Sequence, residues 1–188
     1  MSTRTDELMG QLANNVGPFA YANLAKYHES AIQTAATAAL VIRPTTTAGI
    51  TIWNGASDGG TSLVIDRLFT FNLVSTASQS FFSLWYTMHL EMTKPTAELV
   101  LLRGTGDGRE PDMSVVVDAG ATVGDNGWFP CGAAGETEEA GVLPGGMVEY
   151  NADGRLIVPP QHGISLQVVS GKTSDTFTSG ASWWRVQL

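Results

Sequence analysis

The sequence has few cysteines and lacks any long apolar run. Cys131 is the only cysteine among 188 residues, so neither an intrachain disulfide nor a cysteine-based metal cluster can form. A membrane-spanning helix would need about 18 consecutive apolar residues, and a secretory signal would need an apolar stretch near the start. The sequence has neither feature, so we expect a protein that is made and folds in a cytoplasm and has no membrane partner.

Basic residues are also scarce. Ten Lys and Arg residues stand against 18 Asp and Glu residues, which gives a formal net charge of -8. Such a surface repels a phosphate backbone, and the basic residues are spread singly along the chain, with no run that would form a local exception. The charge pattern therefore argues against nucleic acid as a direct partner.

Composition favours a β protein. Charged residues make up only 15% of the chain and glycine contributes 21 residues, whereas helical domains are usually richer in charge and poorer in glycine. With 43% hydrophobic residues, a chain of this length is sufficient for one domain with a continuous core.

The first 33 residues differ from the rest. Met9, Leu12, Leu24 and Tyr27 lie at loosely helical spacing, and a Gly-Pro pair interrupts the pattern. A short segment of this kind cannot bury its apolar side chains alone. We expect a partly helical N-terminal arm over 1–33 that lies on the main domain or reaches a neighbouring subunit, and we take these four residues as interface candidates.

From about residue 43 the sequence changes to short alternating apolar runs separated by Gly, Asn and Pro clusters. This pattern is typical of antiparallel strands. The predicted strands are 50–53, 63–74, 81–92, 97–102, 113–117, 141–150, 155–158, 163–169 and 182–188. Their number and irregular loop lengths favour a mainly β, antiparallel, jelly-roll-like sandwich domain over 34–188.

Two details of this pattern make specific structural predictions. A period-two pattern over 63–74 places Leu63, Ile65, Phe69, Phe71 and Leu73 together on the core face, interrupted only by Arg67. The turn-forming residues between Tyr150 and Arg155 predict a hairpin in which 141–150 pairs with 155–158.

Residues with catalytic potential are spread along the sequence. His89 and Glu91 share one face of a predicted strand, and His162 would have to join them to hold a metal, as in a cupin-like enzyme. No G-x-S-x-G elbow is present for a serine nucleophile, and no histidine lies near Cys131 in sequence to activate its thiol. We therefore predict a non-enzymatic protein with no catalytic, cofactor-binding or metal-binding residues.

The tryptophans are candidates for contacts. Trp183 and Trp184 are adjacent on a predicted strand, so they must face opposite sides, with one in the core and the other available to a partner. Trp53 and Trp128 raise an alternative, in which exposed tryptophans and Asp/Asn-rich loops form a carbohydrate-binding or receptor-binding module.

The C-terminal part carries a resemblance. The run GRLIVPPQHGISLQVV at 154–169, followed by SWWRV at 182–186, resembles the end of small β-sandwich structural proteins of tailed bacteriophages. The run TSLVIDRL at 61–68 resembles an early strand of the same proteins. The resemblance as a whole extends over about half of the chain, and these short runs are its motifs.

The resemblance implies a jelly-roll subunit of a virion. Such a subunit decorates or cements the capsid, or lies at the neck or tail, as a homo-oligomer, most often a trimer. Its partners would be the major capsid protein or a neck or tail protein of the same particle. The alternative is a carbohydrate-binding or receptor-binding module of a phage tail or head fibre. The N-terminal arm is not part of the resembling pattern.

Overall fold

A computed structural model describes residues 28–57, 59–75, 81–90, 92–96, 102–103, 114–135 and 146–188. Within these ranges the chain is mainly β, and the described part contains no helix. None of the described segments is a helix long and apolar enough to cross a bilayer. The predicted helical character of the arm concerns residues 1–27, which lie outside the described residues.

Eleven strands are described. They are β1 (His28–Ile32), β2 (Thr37–Ala38), β3 (Ile50–Asn54), β4 (Ser62–Val74), β5 (Phe81–His89), β6 (Leu102–Arg103), β7 (Val115–Ala119), β8 (Phe129–Gly135), β9 (Met147–Val158), β10 (Gly163–Ser170) and β11 (Thr176–Val186).

The strands form two antiparallel sheets. The six-stranded sheet has the order β6-β1-β11-β4-β9, with β2 paired to one end of β11, and the five-stranded sheet has the order β7-β3-β10-β5-β8. Most neighbours are distant in sequence, as in β1 with β11 and β3 with β10. The fold therefore depends on long-range pairing between the first and second halves of the chain.

One hydrophobic cluster joins the two sheets. It takes Leu63, Ile65 and Leu68 from the six-stranded sheet and Leu84 and Leu166 from the five-stranded sheet, and all five are fully buried. Burial of a side chain of this size contributes about 1.5–3 kcal/mol. The shared core fixes which face of each sheet points inward.

The predicted core face of β4 is only half correct. Leu63 and Ile65 are fully buried, but Asp66 is an extra residue in the pairing with β11, which is a β-bulge, and the pairing with β9 is irregular at the same point. A bulge reverses which side of the sheet the following residues face. Leu68 therefore points into the core, while Phe69 and Phe71 lie on the outer face.

The predicted hairpin at 151–154 is wrong. Residues on both sides of it belong to the single strand β9, and both parts pair with β4. The turn chemistry produces a bulge instead, since Asp153 and Gly154 have φ values of 49° and 74°. Left-handed residues therefore shift the register of β9 without reversing the chain.

Other strands have no counterpart in the sequence prediction. β1 lies within the segment expected to be an arm, and no strand was predicted at β8 or over the first half of β11. Residues 28–32 are hydrogen-bonded between β11 and β6. The sheet therefore begins before residue 34.

Two loop segments cover the outer face of the five-stranded sheet. Residues 41–49 and 120–128, called here the covering segments, pair through backbone bonds such as Val123 N to Thr46 O at 2.9 Å. Their buried Val123 and Trp128 pack against Trp85 on the sheet. The chain therefore buries one outer sheet face by itself.

Candidate functional site

A buried charged group lies at the edge of the core. Trp183 is fully buried, and its indole nitrogen donates to Glu29 Oε2 at 3.2 Å. Arg185 Nε lies 3.1 Å from Glu29 Oε1. A buried carboxylate must be compensated by charge and hydrogen bonds, so this group has a structural explanation. Trp183 is the core member of the tryptophan pair.

Trp184 lies on the opposite face of β11. Its ring contacts the His28 ring in a tilted arrangement, with 4.6 Å between centroids and 49° between the ring planes. His28 Nε2 lies 3.5 Å from Asp66 Oδ2, and Ser182 Oγ donates to the same carboxylate oxygen at 3.2 Å. The bulged Asp66 thus contacts both His28 and Ser182 on this face of the sheet. The contact role of Trp184 stays a prediction.

The outer face of the six-stranded sheet, called here the open face, carries several exposed apolar side chains beside polar ones. Its apolar members are Ile32, Val64, Phe69, Phe71, Met147, Ile157 and Trp184, which occupy paired positions on four neighbouring strands. Arg67 lies among them, 5.7 Å from the Phe69 ring centroid and 3.4 Å from Glu149 Oε1. Each of the seven is partly or clearly exposed, which is typical of a contact surface.

A polar row crosses the outer face of the five-stranded sheet beneath the covering segments. Ser165 Oγ lies 2.8 Å from Thr51 Oγ1 and 2.8 Å from His89 Nε2. Asn126 Nδ2 lies 3.3 Å from His89 Nδ1. The structure therefore links His89 to a serine and an amide that the sequence prediction had not considered.

The Ser165–His89 contact has the atoms of a nucleophile and a base, but Ser165 is not placed where a substrate could reach it. Ser165 is fully buried in the central strand β10 and its hydroxyl is shared with Thr51, whereas a nucleophile must be reachable by a substrate. A cleft of about 300 Å³ lies beside His89, lined also by Met92, Thr122 and Asn126. The cleft reaches the ring of His89, while Ser165 is not among its lining residues.

Burial shifts two titratable groups in directions that favour their neutral forms. Desolvation lowers the pKa of His89, so the buried imidazole favours its neutral state. Burial raises the pKa of the Cys131 thiol to about 12, and its Sγ donates to Leu84 O at 3.4 Å. A reactive cysteine needs a depressed pKa, and Cys131 has the opposite environment.

The residues weighed for a metal site have other contacts. His89 contacts Ser165 and Asn126, His162 Nδ1 lies 2.7 Å from Pro160 O, and Glu91 lies outside the described residues. Among the residues that the structure describes, no group of three or more His, Cys, Asp or Glu side chains is arranged to hold a metal ion.

The tryptophans weighed for glycan binding are also placed. Trp128 is only 5% exposed, and its indole nitrogen donates to Thr45 O at 2.9 Å, so its ring is not available for stacking on a sugar. Trp53 is half-buried on β3, facing the outer side of the sheet.

The signal for the polar row was visible in sequence, since Thr51, Thr87 and Ser165 alternate with core residues on their strands.

The remaining interface candidates cannot be placed. Met9, Leu12, Leu24 and Tyr27 lie outside the described residues.

Comparison with known proteins supplies no family: no protein-family model matches the chain, and a search of curated proteins finds no significant match.

Proposed function

We propose that this chain is a non-enzymatic jelly-roll subunit of a tailed-bacteriophage particle, which decorates or cements the capsid. Its expected partners are further copies of itself, as a trimer, and the major capsid protein. A place at the neck or tail would use the same contacts. The order of strands in the two sheets is the observation that carries this proposal, together with the resemblance of 61–68, 154–169 and 182–186.

The pairing is the one that results from rolling up a long hairpin of eight strands. In sequence order, β1, β3, β4 and β5 pair with β11, β10, β9 and β8 respectively. The rolled hairpin is then held laterally by β11 with β4 and by β10 with β5. Two four-stranded sheets connected in this way characterise jelly rolls, which occur in viral capsid proteins, lectins and cupins.

The chemistry of the two outer faces favours a structural role over the other jelly-roll functions. The polar row that includes His89 lies beneath the covering segments, and Ser165 within it is fully buried. The open face instead presents apolar side chains over four strands. Apolar area is what subunits bury against neighbours in a symmetric assembly, so the open face and Trp184 would serve contact once the subunit joins the particle.

The carbohydrate-binding alternative receives less support. It needs accessible aromatic rings, and the ring of Trp128, in a covering segment, is buried against Trp85 of the sheet. Trp53 stays a candidate for it, because its ring is only partly buried.

The decisive experiment measures the chain in purified particles. Particles from cells that encode the chain would be quantified by peptide mass spectrometry, beside light scattering of the isolated protein. We expect many copies per particle and a trimer in solution. Particles that lack the chain should still assemble but should lose infectivity at a lower temperature.

Two outcomes would overturn the proposal. One is absence of the chain from particles. The other is a monomer that binds a glycan array, with the binding lost in Trp53→Ala and kept in Phe81→Ala, a change of an exposed aromatic residue elsewhere on the five-stranded sheet.

A further inference from the structure

The two sheets differ in what covers their outer faces. On the five-stranded sheet the covering segments enclose polar side chains, including Thr51 and Ser165. On the six-stranded sheet the open face exposes apolar side chains, with Ile32 at 38%, Ile157 at 38% and Met147 at 46%. Apolar area exposed on a sheet face in this way marks a surface that a partner covers.

We propose that in the purified protein residues 1–27 pack across the open face of their own chain. The segment would cover the outer face of the six-stranded sheet, as the covering segments 41–49 and 120–128 cover the outer face of the five-stranded sheet. This docking does not depend on the particle assignment, because it concerns the isolated protein before any assembly.

The point at which the segment joins the sheet supports this occupant. Residue 27 precedes His28, the first residue of β1, and the His28 ring contacts the Trp184 ring of the open face in a tilted arrangement. Across the sheet from His28, the paired residues on successive strands are Trp184, Val64 and Ile157. The segment therefore starts at the margin of the surface that it would cover.

Length and composition fit as well. An extended stretch of 27 residues reaches at most about 90 Å, and the four strands of the open face span only about 15 Å across. The segment offers Met9, Leu12, Leu24 and Tyr27 as apolar side chains. It is long enough to cross the face and return.

Tethering favours this segment over a separate partner. A segment joined directly to the sheet has an effective concentration in the millimolar range. An untethered second copy at micromolar concentration would need an intrinsic affinity about a thousandfold higher to displace it. In the purified protein the chain's own segment should therefore occupy the face.

The test uses spin-label distances in the full-length protein. In a Cys131→Ser background, labels at Leu12→Cys and Asn151→Cys report on the open face, where Asn151 is exposed and opposite Arg67. A matched pair uses Leu12→Cys with Ile42→Cys, since Ile42 is 70% exposed in a covering segment. Unfolding of each labelled variant confirms that the domain is intact.

We expect a short, narrow distance distribution for the Asn151 pair, a long or broad one for the Ile42 pair, and no change when labelled protein is diluted tenfold with unlabelled protein. Equally broad distributions for both pairs would overturn the proposal. A short distance whose signal is lost on dilution would also overturn it, because the segment would then dock on another copy.

A charged substitution tests the surface itself. Ile157→Lys places an ammonium group in the open face and should broaden the Leu12–Asn151 distribution, whereas Ile42→Lys should leave it unchanged. If Ile157→Lys leaves the distribution narrow, or changes only the oligomeric mass, the open face is covered by something other than residues 1–27 and the proposal fails.

Discussion

Trp183 and Glu29 are directly opposite each other on β11 and β1, and the indole nitrogen of Trp183 donates to Glu29 Oε2 at 3.2 Å. Both side chains are fully buried, and Arg185 lies two residues further along the same face of β11. The hydrogen bond therefore connects the first strand to the last one within the core. The carboxylate of Glu29 thus occupies a position where an apolar residue would be expected.

Glu29→Ala should destabilise the protein by about 3 kcal/mol, because Arg185 loses its opposite charge in a mostly buried site. Glu29→Gln should lose less, since its amide oxygen still accepts from Trp183. Denaturant midpoints with fitted slopes would measure both. Glu149→Ala is the control, because its contact with Arg67 is largely exposed and should contribute under about 1 kcal/mol. Equal losses in Glu29→Ala and Glu149→Ala would contradict this prediction.

Stability should fall as pH drops below about 6.5, the ordinary pKa of histidine. Burial lowers the pKa of His89 in the folded state, so in this range the unfolded chain binds a proton that the folded chain does not bind. Proton uptake by the unfolded state favours unfolding. The contribution of His89 is therefore fully present above the unfolded pKa and is lost as the pH falls towards the folded pKa.

Unfolding free energies between pH 5 and 8, with imidazole resonances followed by NMR, would measure this dependence. His89→Gln should flatten the part of the slope that arises from this residue. Ser165→Ala should lower stability at every pH while keeping the slope, because desolvation is the cause of the pKa shift. An NMR titration that places the pKa of His89 above 6.5 would show that burial is not dominant.

Gly154→Ala should destabilise the protein by about 1 kcal/mol. Its φ of 74° lies in the left-handed region, where a Cβ adds strain, while the added methyl group would be 3.6 Å from Val64 Cγ1, an ordinary contact. The cost therefore reports backbone conformation alone. Gly135→Ala is the matched control, because an added Cβ there meets no atom within 4 Å. In thermal unfolding, Gly154→Ala should lower the unfolding midpoint, and Gly135→Ala should leave it unchanged.

Much of the architecture could be predicted from the sequence, and the failures have physical reasons. The strands around 50–53, 63–74 and 163–169 were correct because each of these stretches is rich in aliphatic, β-branched or aromatic residues. The face of Phe69 and Phe71 was wrong because a bulge at Asp66 leaves no signal in a period-two pattern. The hairpin at 151–154 was wrong because left-handed Asp and Gly serve bulges as well as turns.

The buried polar groups were harder to predict than the strands. Glu29 lies in a segment with no clear period, so nothing in the sequence marked it as a core residue paired with Trp183. His89 was singled out, but its partners Ser165 and Asn126 lie 76 and 37 residues away in sequence. Only the pairing of β5 with β10 and the path of a covering segment bring them together.

The close approach of three strands at Gly180 gives a final prediction. An added Cβ there would lie 2.5 Å from Ala31 O and 2.5 Å from Phe69 Cζ. The carbonyl of Ala31 belongs to a strand that is paired with β11, so it cannot move away without disturbing that pairing. Gly180→Ala should therefore destabilise the protein by about 1–3 kcal/mol, as overpacking does.

A double-mutant cycle separates the two obstacles. Phe69→Leu removes the ring from above Gly180 and leaves the Ala31 carbonyl in place. If the backbone contact dominates, Gly180→Ala should cost nearly as much in the Phe69→Leu background as in the wild type, by denaturant unfolding. If the cost disappears in that background, the ring alone sets the requirement for glycine, and the spacing between β1 and β11 is less constrained than the distances indicate.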